Sequence, residues 1–171
     1  MRDIMLDTFE NLGSDRQVAF LLGLSGTVVN LLTSSSAYKD INNAMKTCWE
    51  WLENKRYLGD EIYYLLDDGT EFTGLFMQMQ DESNPLKELV WGCIVDAISF
   101  TTWRAYQFDN EEYLPAPIEN VDGSILQQFL DGFYEIKLIN KVVAKEFINY
   151  LEDSNTSLKK DDIMHFLKEL L

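Results

Sequence analysis

The chain has 171 residues, 46% of them hydrophobic and 13% aromatic, which excludes a disordered polypeptide and suffices for one domain with a real core. Its net charge is −15, and residues 59–135 alone hold sixteen acids against two bases, Lys87 and Arg104. Such a chain lacks the positive footprint from which nucleic-acid binding starts, and it repels anionic membrane surfaces.

The opening stretch, 1–12, is amphipathic through Ile4, Met5, Phe9 and Leu12, and Gly13 closes it. Acidic Asp3 stands where a secretory signal would be apolar, and no run approaches the ~20 apolar residues of a spanning helix. The expectation is a cytoplasmic protein. Ser14 to Gln17 has the form of a capping box, and Val18, Leu21, Leu22, Ser25, Val28, Val29 and Leu32 follow at helical spacing. Gly23 and Gly26 weaken that helix but allow close packing. Residues 38–54 predict the next helix, with Tyr38, Ile41, Met45, Cys48 and Leu52 on one stripe and Trp49 and Trp51 at its edges. Tryptophans so placed pack at a helix junction.

A short helix over 61–66 ends at Asp67-Asp68-Gly69, where glycine suits a left-handed cap. Phe72, Leu75, Phe76 and Met79 predict a helix over 70–80 with Thr70 as its cap. The longest unbroken run is 84–108: Asn84 caps it, Pro85 fits its first position, and Asp96 is the only charge between Leu89 and Phe100. A helix apolar on most sides needs neighbours on most sides, so it becomes the centre of the fold. Pro115-Ala116-Pro117 interrupts the helical pattern. Helices resume over 124–136, 140–151 and, with Ser157 as a cap, to the end. The fold class is all-α: a single domain over 1–171, a bundle of about seven to nine helices.

Reactive groups are scarce. The one histidine, His165, stands at the edge of a terminal core stripe, and no glycine-rich phosphate loop occurs. Cys48 and Cys93 lie within helical apolar patterns and read as reduced core thiols. Glu50 and Glu53 stand one turn apart, and Asp67, Asp68 and Glu71 mimic an aspartate-rich magnesium motif, so a Mg²⁺-dependent helical hydrolase is one alternative. No basic cluster stands nearby to hold a substrate phosphate. Asp96 must find a partner, at a neighbouring helix end or in Arg104. No catalytic residue, metal or cofactor is expected.

The acids of 59–135 gather at helix junctions: Asp67, Asp68 and Glu71 at one, Asp81 and Glu82 at the next, and Asp109, Glu111 and Glu112 beyond the central helix, with Tyr106 and Tyr113 among them. Carboxylates mixed with aromatic rings suit a protein interface for a basic partner. From composition alone, a merely soluble acidic surface stands level with that reading.

The series Asp15-Arg16, Ala19-Phe20, Ile41, Ala44, Cys48-Trp49-Glu50-Trp51-Leu52, Trp91, Asp96-Ala97-Ile98, Trp103, Ala105-Tyr106 and Pro117-Ile118-Glu119 resembles the all-helical "family six" immunity proteins of bacterial polymorphic toxin systems. The resemblance covers roughly residues 15–135. It implies a small cytoplasmic, non-enzymatic protein, encoded beside a toxin, that binds and neutralises the toxin's C-terminal domain. Many such toxins are nucleases, basic because they bind phosphates. A helical scaffold or regulator with another partner is the remaining alternative, and oligomeric state is left open.

Overall fold

The longest helix sets the arrangement of the others. In the computed structural model, which describes residues 3–171, the run predicted over 84–108 forms one helix of 24 residues, α6 (Pro85–Phe108). At ~1.5 Å per residue it is about 36 Å long. Its start is built as expected: the Asn84 side chain accepts a hydrogen bond from the Lys87 amide at 3.0 Å, and Pro85 occupies the first turn. Val90, Trp91, Ile94, Ala97, Ile98 and Phe100 are all buried, so no face of its middle is left to solvent. The hydroxyls of Thr101 and Thr102 are buried too, and each donates to its own helix, to Ala97 O and Ile98 O at 2.8 Å.

Around α6 pack α2 (Ser14–Val28), α3 (Tyr38–Asn54), α4 (Gly59–Leu66) and α8 (Ile125–Ile136). The remaining helices are α1 (Ile4–Asn11), α5 (Leu75–Met79), α7 (Ala116–Glu119), α9 (Asn140–Leu151) and α10 (Lys160–Leu170). A 3-10 turn, Val29–Leu32, finishes α2. The protein is all-helical, and the described residues contain no strand. The buried side chains form one continuous cluster from Phe9 to Leu167.

Among the described residues there are ten helices, more than the expected count, because of α7. Its prolines do not prevent a helix but start one: Pro115 is the N-cap and Pro117 lies in the first turn, where a missing amide costs nothing. The capping box at Ser14 does not form. Gly13, at φ +86, precedes α2, and Gln17 turns inward, donating to Phe9 O at 2.8 Å and accepting from Arg104. Ser157 lies short of α10, whose N-cap is Lys159. The opening stretch matches α1 from Ile4 onward; Met1 and Arg2 lie outside the described residues.

The glycines of α2 act as packing notches. A Cβ on Gly23 would stand 2.7 Å from the Phe147 ring of α9, and one on Gly26 would stand 2.9 Å from Met164 of α10. The last two helices are thereby seated directly on α2. Trp49 and Trp51 are both buried, Trp51 edge-on to Phe108 at 6.3 Å, in keeping with junction packing.

Cys48 and Cys93 are free and buried, and burial pushes each thiol up to about 12. Asp96 finds Gln128 of α8, which donates to it at 2.9 Å, rather than Arg104. Arg104 lies over the Trp103 ring at 4.5 Å and bonds Gln107 and Gln17 instead.

Candidate partner interface

Two of the acidic junctions identified in the sequence lie at the two ends of α4. This helix begins against the far end of α6, where Gly59 lies flat on the Tyr106 ring. The Gly59 amide donates to Asp109 at 2.9 Å, and the Tyr106 hydroxyl donates to Asp60 at 2.6 Å. Burial, with Asp60 beside it, pushes the Tyr106 hydroxyl well above its usual range. A Cβ on Gly59 would stand 2.5 Å from that ring, closer than any side chain tolerates. Gly59→Ala is therefore expected to destabilise the fold by about 1–3 kcal/mol, as overpacking does, measurable as a lower urea midpoint.

These contacts sort the predicted interface residues. Tyr106 is 1% exposed, so it packs the joint between α4 and α6 and presents no surface. Asp109 is half-buried and serves the first turn of α4. Glu111, Glu112 and Tyr113 are exposed, Tyr113 at 85%. Sequence spacing offered no sign that Gly59 approaches Tyr106 and Asp109, because the pairing joins residues about fifty apart.

At the other end of α4 the chain enters residues 67–74. The predicted helix from Thr70 is absent, and α5 begins only at Leu75. Asp68 gathers this loop instead, accepting from the Thr70 amide at 3.0 Å, the Thr70 hydroxyl at 2.7 Å and the Thr73 hydroxyl. Thr73 and Thr70 hold its carboxyl below the usual range. Gly69 takes the left-handed conformation, φ +81, and its amide donates to Asp67 at 3.0 Å. Gly74 rests on the carbonyl of Leu66, 2.6 Å from where a Cβ would be. Phe72, expected on a core stripe, projects from the loop and is 79% exposed. The signal was present in Gly74, which breaks the helical run between Phe72 and Leu75.

Asp81 and Glu82 follow α5 and line one groove with Phe72, Gln78, Lys87 and the Ser34–Ser36 turn. Lys87 donates to Ser34 at 3.0 Å within it. Tyr64 on α4, 63% exposed, and Asp68 line the adjoining groove with Asp40 and Asn43 of α3. Glu111, Glu112 and Tyr113 beyond α6, Asp60 and Glu61 on α4, and Glu71 and Asp81 further along the chain are all exposed. Phe108, Tyr64, Phe72 and Tyr113 are exposed as well, interleaved in sequence with these carboxylates. Another acid of the middle segment, Asp131 on α8, shares a separate groove with Lys141 and Lys145 of α9.

Two of the carboxylates considered for metal binding, Glu50 and Asp68, are engaged elsewhere. Tyr57 donates to Glu50 at 2.5 Å and Arg56 at 2.7 Å, holding that carboxyl below its usual range, while Asp68 is taken up by its threonines. Among the described residues no group of three or more His, Cys, Asp or Glu is placed to hold a metal ion. His165 is exposed and lies 4.0 Å from Glu169. No helix among the described residues is long and apolar enough to cross a membrane.

No curated protein and no solved structure matches the chain. Residues 16–136, from α2 through the end of α8, match the family model described as Immunity protein Imm6. That match takes in α4, α6 and the residues between them, and the protein belongs to the Imm6 family of immunity proteins.

Proposed function

We propose that this protein neutralises its cognate toxin in the cytoplasm by laying the α4 face over the toxin's basic active surface. It acts by occlusion, without chemistry of its own. The observation that carries the reading is the interleaving of exposed rings and carboxylates along α4 and at both ends of α6. Charge of one sign draws a basic partner in, and aromatic rings supply area once it arrives. A nuclease is the toxin class that best fits, because a surface that holds phosphates is positively charged before its substrate comes. An acidic body seated there excludes nucleic acid both by bulk and by repulsion.

Charge reversal tests the face, provided the carboxylates that hold the fold are left alone. Asp60, Asp68 and Asp109 accept internal hydrogen bonds, so they are unsuitable. The exposed Glu71, Asp81, Glu111 and Glu112 are suitable. Replacing all four by lysine is expected to slow association with the toxin domain encoded beside the gene by about 10–100-fold at low salt. Protection of cells expressing the toxin should fall in parallel, with the far-ultraviolet circular dichroism unchanged. An association rate equal to the parent's, at every salt concentration, would remove the α4 face from the mechanism.

A further inference from the structure

Phe72 is the least buried large side chain on the α4 face apart from Tyr113, and it is held out there by construction. Its neighbours on both sides are tied down. Thr70 accepts from the Thr73 amide at 3.2 Å and shares a 2.6 Å hydroxyl contact with Thr73, whose own hydroxyl reaches Asp68. Beyond Phe72 the Gln78 side chain donates to Thr73 O at 2.6 Å and to Asp40 at 3.2 Å, linking the loop to α5 and α3. Gly74 then presses on the end of α4, leaving no room for the loop to sink inward. Nothing in the fold buries the ring.

A large ring left in water by a rigid loop gains most from a partner that buries it. A loop already ordered loses little conformational freedom on binding, so more of the contact energy appears as affinity. The surroundings specify the partner's chemistry. Glu71 is the adjacent residue, and Asp81 and Glu82 share the groove with Phe72, where Lys87 is bonded to Ser34. A second copy of this chain would bring like charges together here. A partner surface of opposite charge would not.

Resting on the function proposed above, we infer that Phe72 is the principal anchor of the complex, inserted with Tyr64 alongside into an apolar recess of the toxin domain whose rim carries lysine or arginine. The carboxylates around it govern how fast the partner arrives, and Phe72 governs how long it stays.

The two roles separate kinetically. The probe is the toxin domain encoded beside the gene, in a catalytically inactive form, measured against the full-length protein. Phe72→Ala is expected to raise the dissociation rate 100-fold or more while leaving the association rate within about 3-fold of the parent. The four-site lysine variant should do the reverse, lowering the association rate. Thr73→Val, which removes the hydroxyl that reaches Asp68 but leaves Phe72 in place, should weaken binding about 10-fold and speed amide exchange over 70–73 in the free protein. Unchanged dissociation in Phe72→Ala, with slowed association in the lysine variant, would keep the face and overturn the anchor. If both variants bind as the parent does, the functional reading fails with it. Sedimentation supplies a further outcome: a parent dimer that Phe72→Ala converts to monomer would make a second copy the occupant, against the inference.

Discussion

Phe147→Ala is expected to lower stability by about 3–5 kcal/mol, the cost of emptying a large, closely surrounded core site. Phe147 is fully buried, with Phe20 of α2 stacked at 5.7 Å and Phe166 of α10 at 6.2 Å. Beneath it lies Gly23, which has no side chain to close the void, so relaxation will recover little of the loss. Unfolding in urea measures it directly. Domains of this kind are stable by only about 5–15 kcal/mol, so the variant should melt some 10 °C lower. A loss below about 1 kcal/mol would mean that α9 and α10 are not part of the core, contrary to their seating on the α2 glycines.

Asp96→Asn is expected to stabilise the protein, and the gain should grow with pH. Burial pushes the Asp96 carboxyl up to about 7, with the Gln128 amide only partly offsetting it. In the unfolded chain the same group titrates near 4. Below about pH 4 both states hold the proton, and the group has no effect on the slope. Between about 4 and 7 the folded state keeps the proton that the unfolded state releases, so wild-type stability falls as pH rises. Above about 7 both states have released the proton, and the difference levels off. Asparagine cannot titrate and still accepts from Gln128. The gap between variant and parent should therefore widen by about 2–4 kcal/mol from pH 4 to pH 8, since each tenfold change in proton affinity is ~1.4 kcal/mol. Comparing the two proteins cancels the general repulsion among the acids. Cys93, one turn before Asp96, stays neutral across this range because its thiol is pushed up to about 12. Parallel stability curves would show that Asp96 is solvated.

How far these features could be read from the sequence depended on how local their causes are. The limits of α6 were legible because Asn84, Pro85 and an uncharged run act within a few residues. The Gly23 and Gly26 notches were legible as packing sites, though not what fills them. Gln17 was misread because the Phe9 carbonyl and Arg104 outcompete its own helix start, and neither is visible in a local pattern. Phe72 was misread because 72, 75, 76 and 79 satisfy helical spacing, while Asp68, Thr70 and Thr73 offered the backbone a different set of bonds. The acidic segment was legible as charge alone. Charge put those acids in the middle third, but only the contacts of Gly59 reveal that Tyr106 and Asp109 serve the joint between α4 and α6.

The seating of α10 on α2 has a kinetic meaning. The Gly26 side of α2 is not covered until residues 160–170 reach it, across almost the whole chain. Closing so wide a loop is entropically unfavourable and comes late, so the search for the native state is slowed at this step. Until then the notch at Gly26 is uncovered, and it is there that an incompletely folded chain is expected to stick to its neighbours.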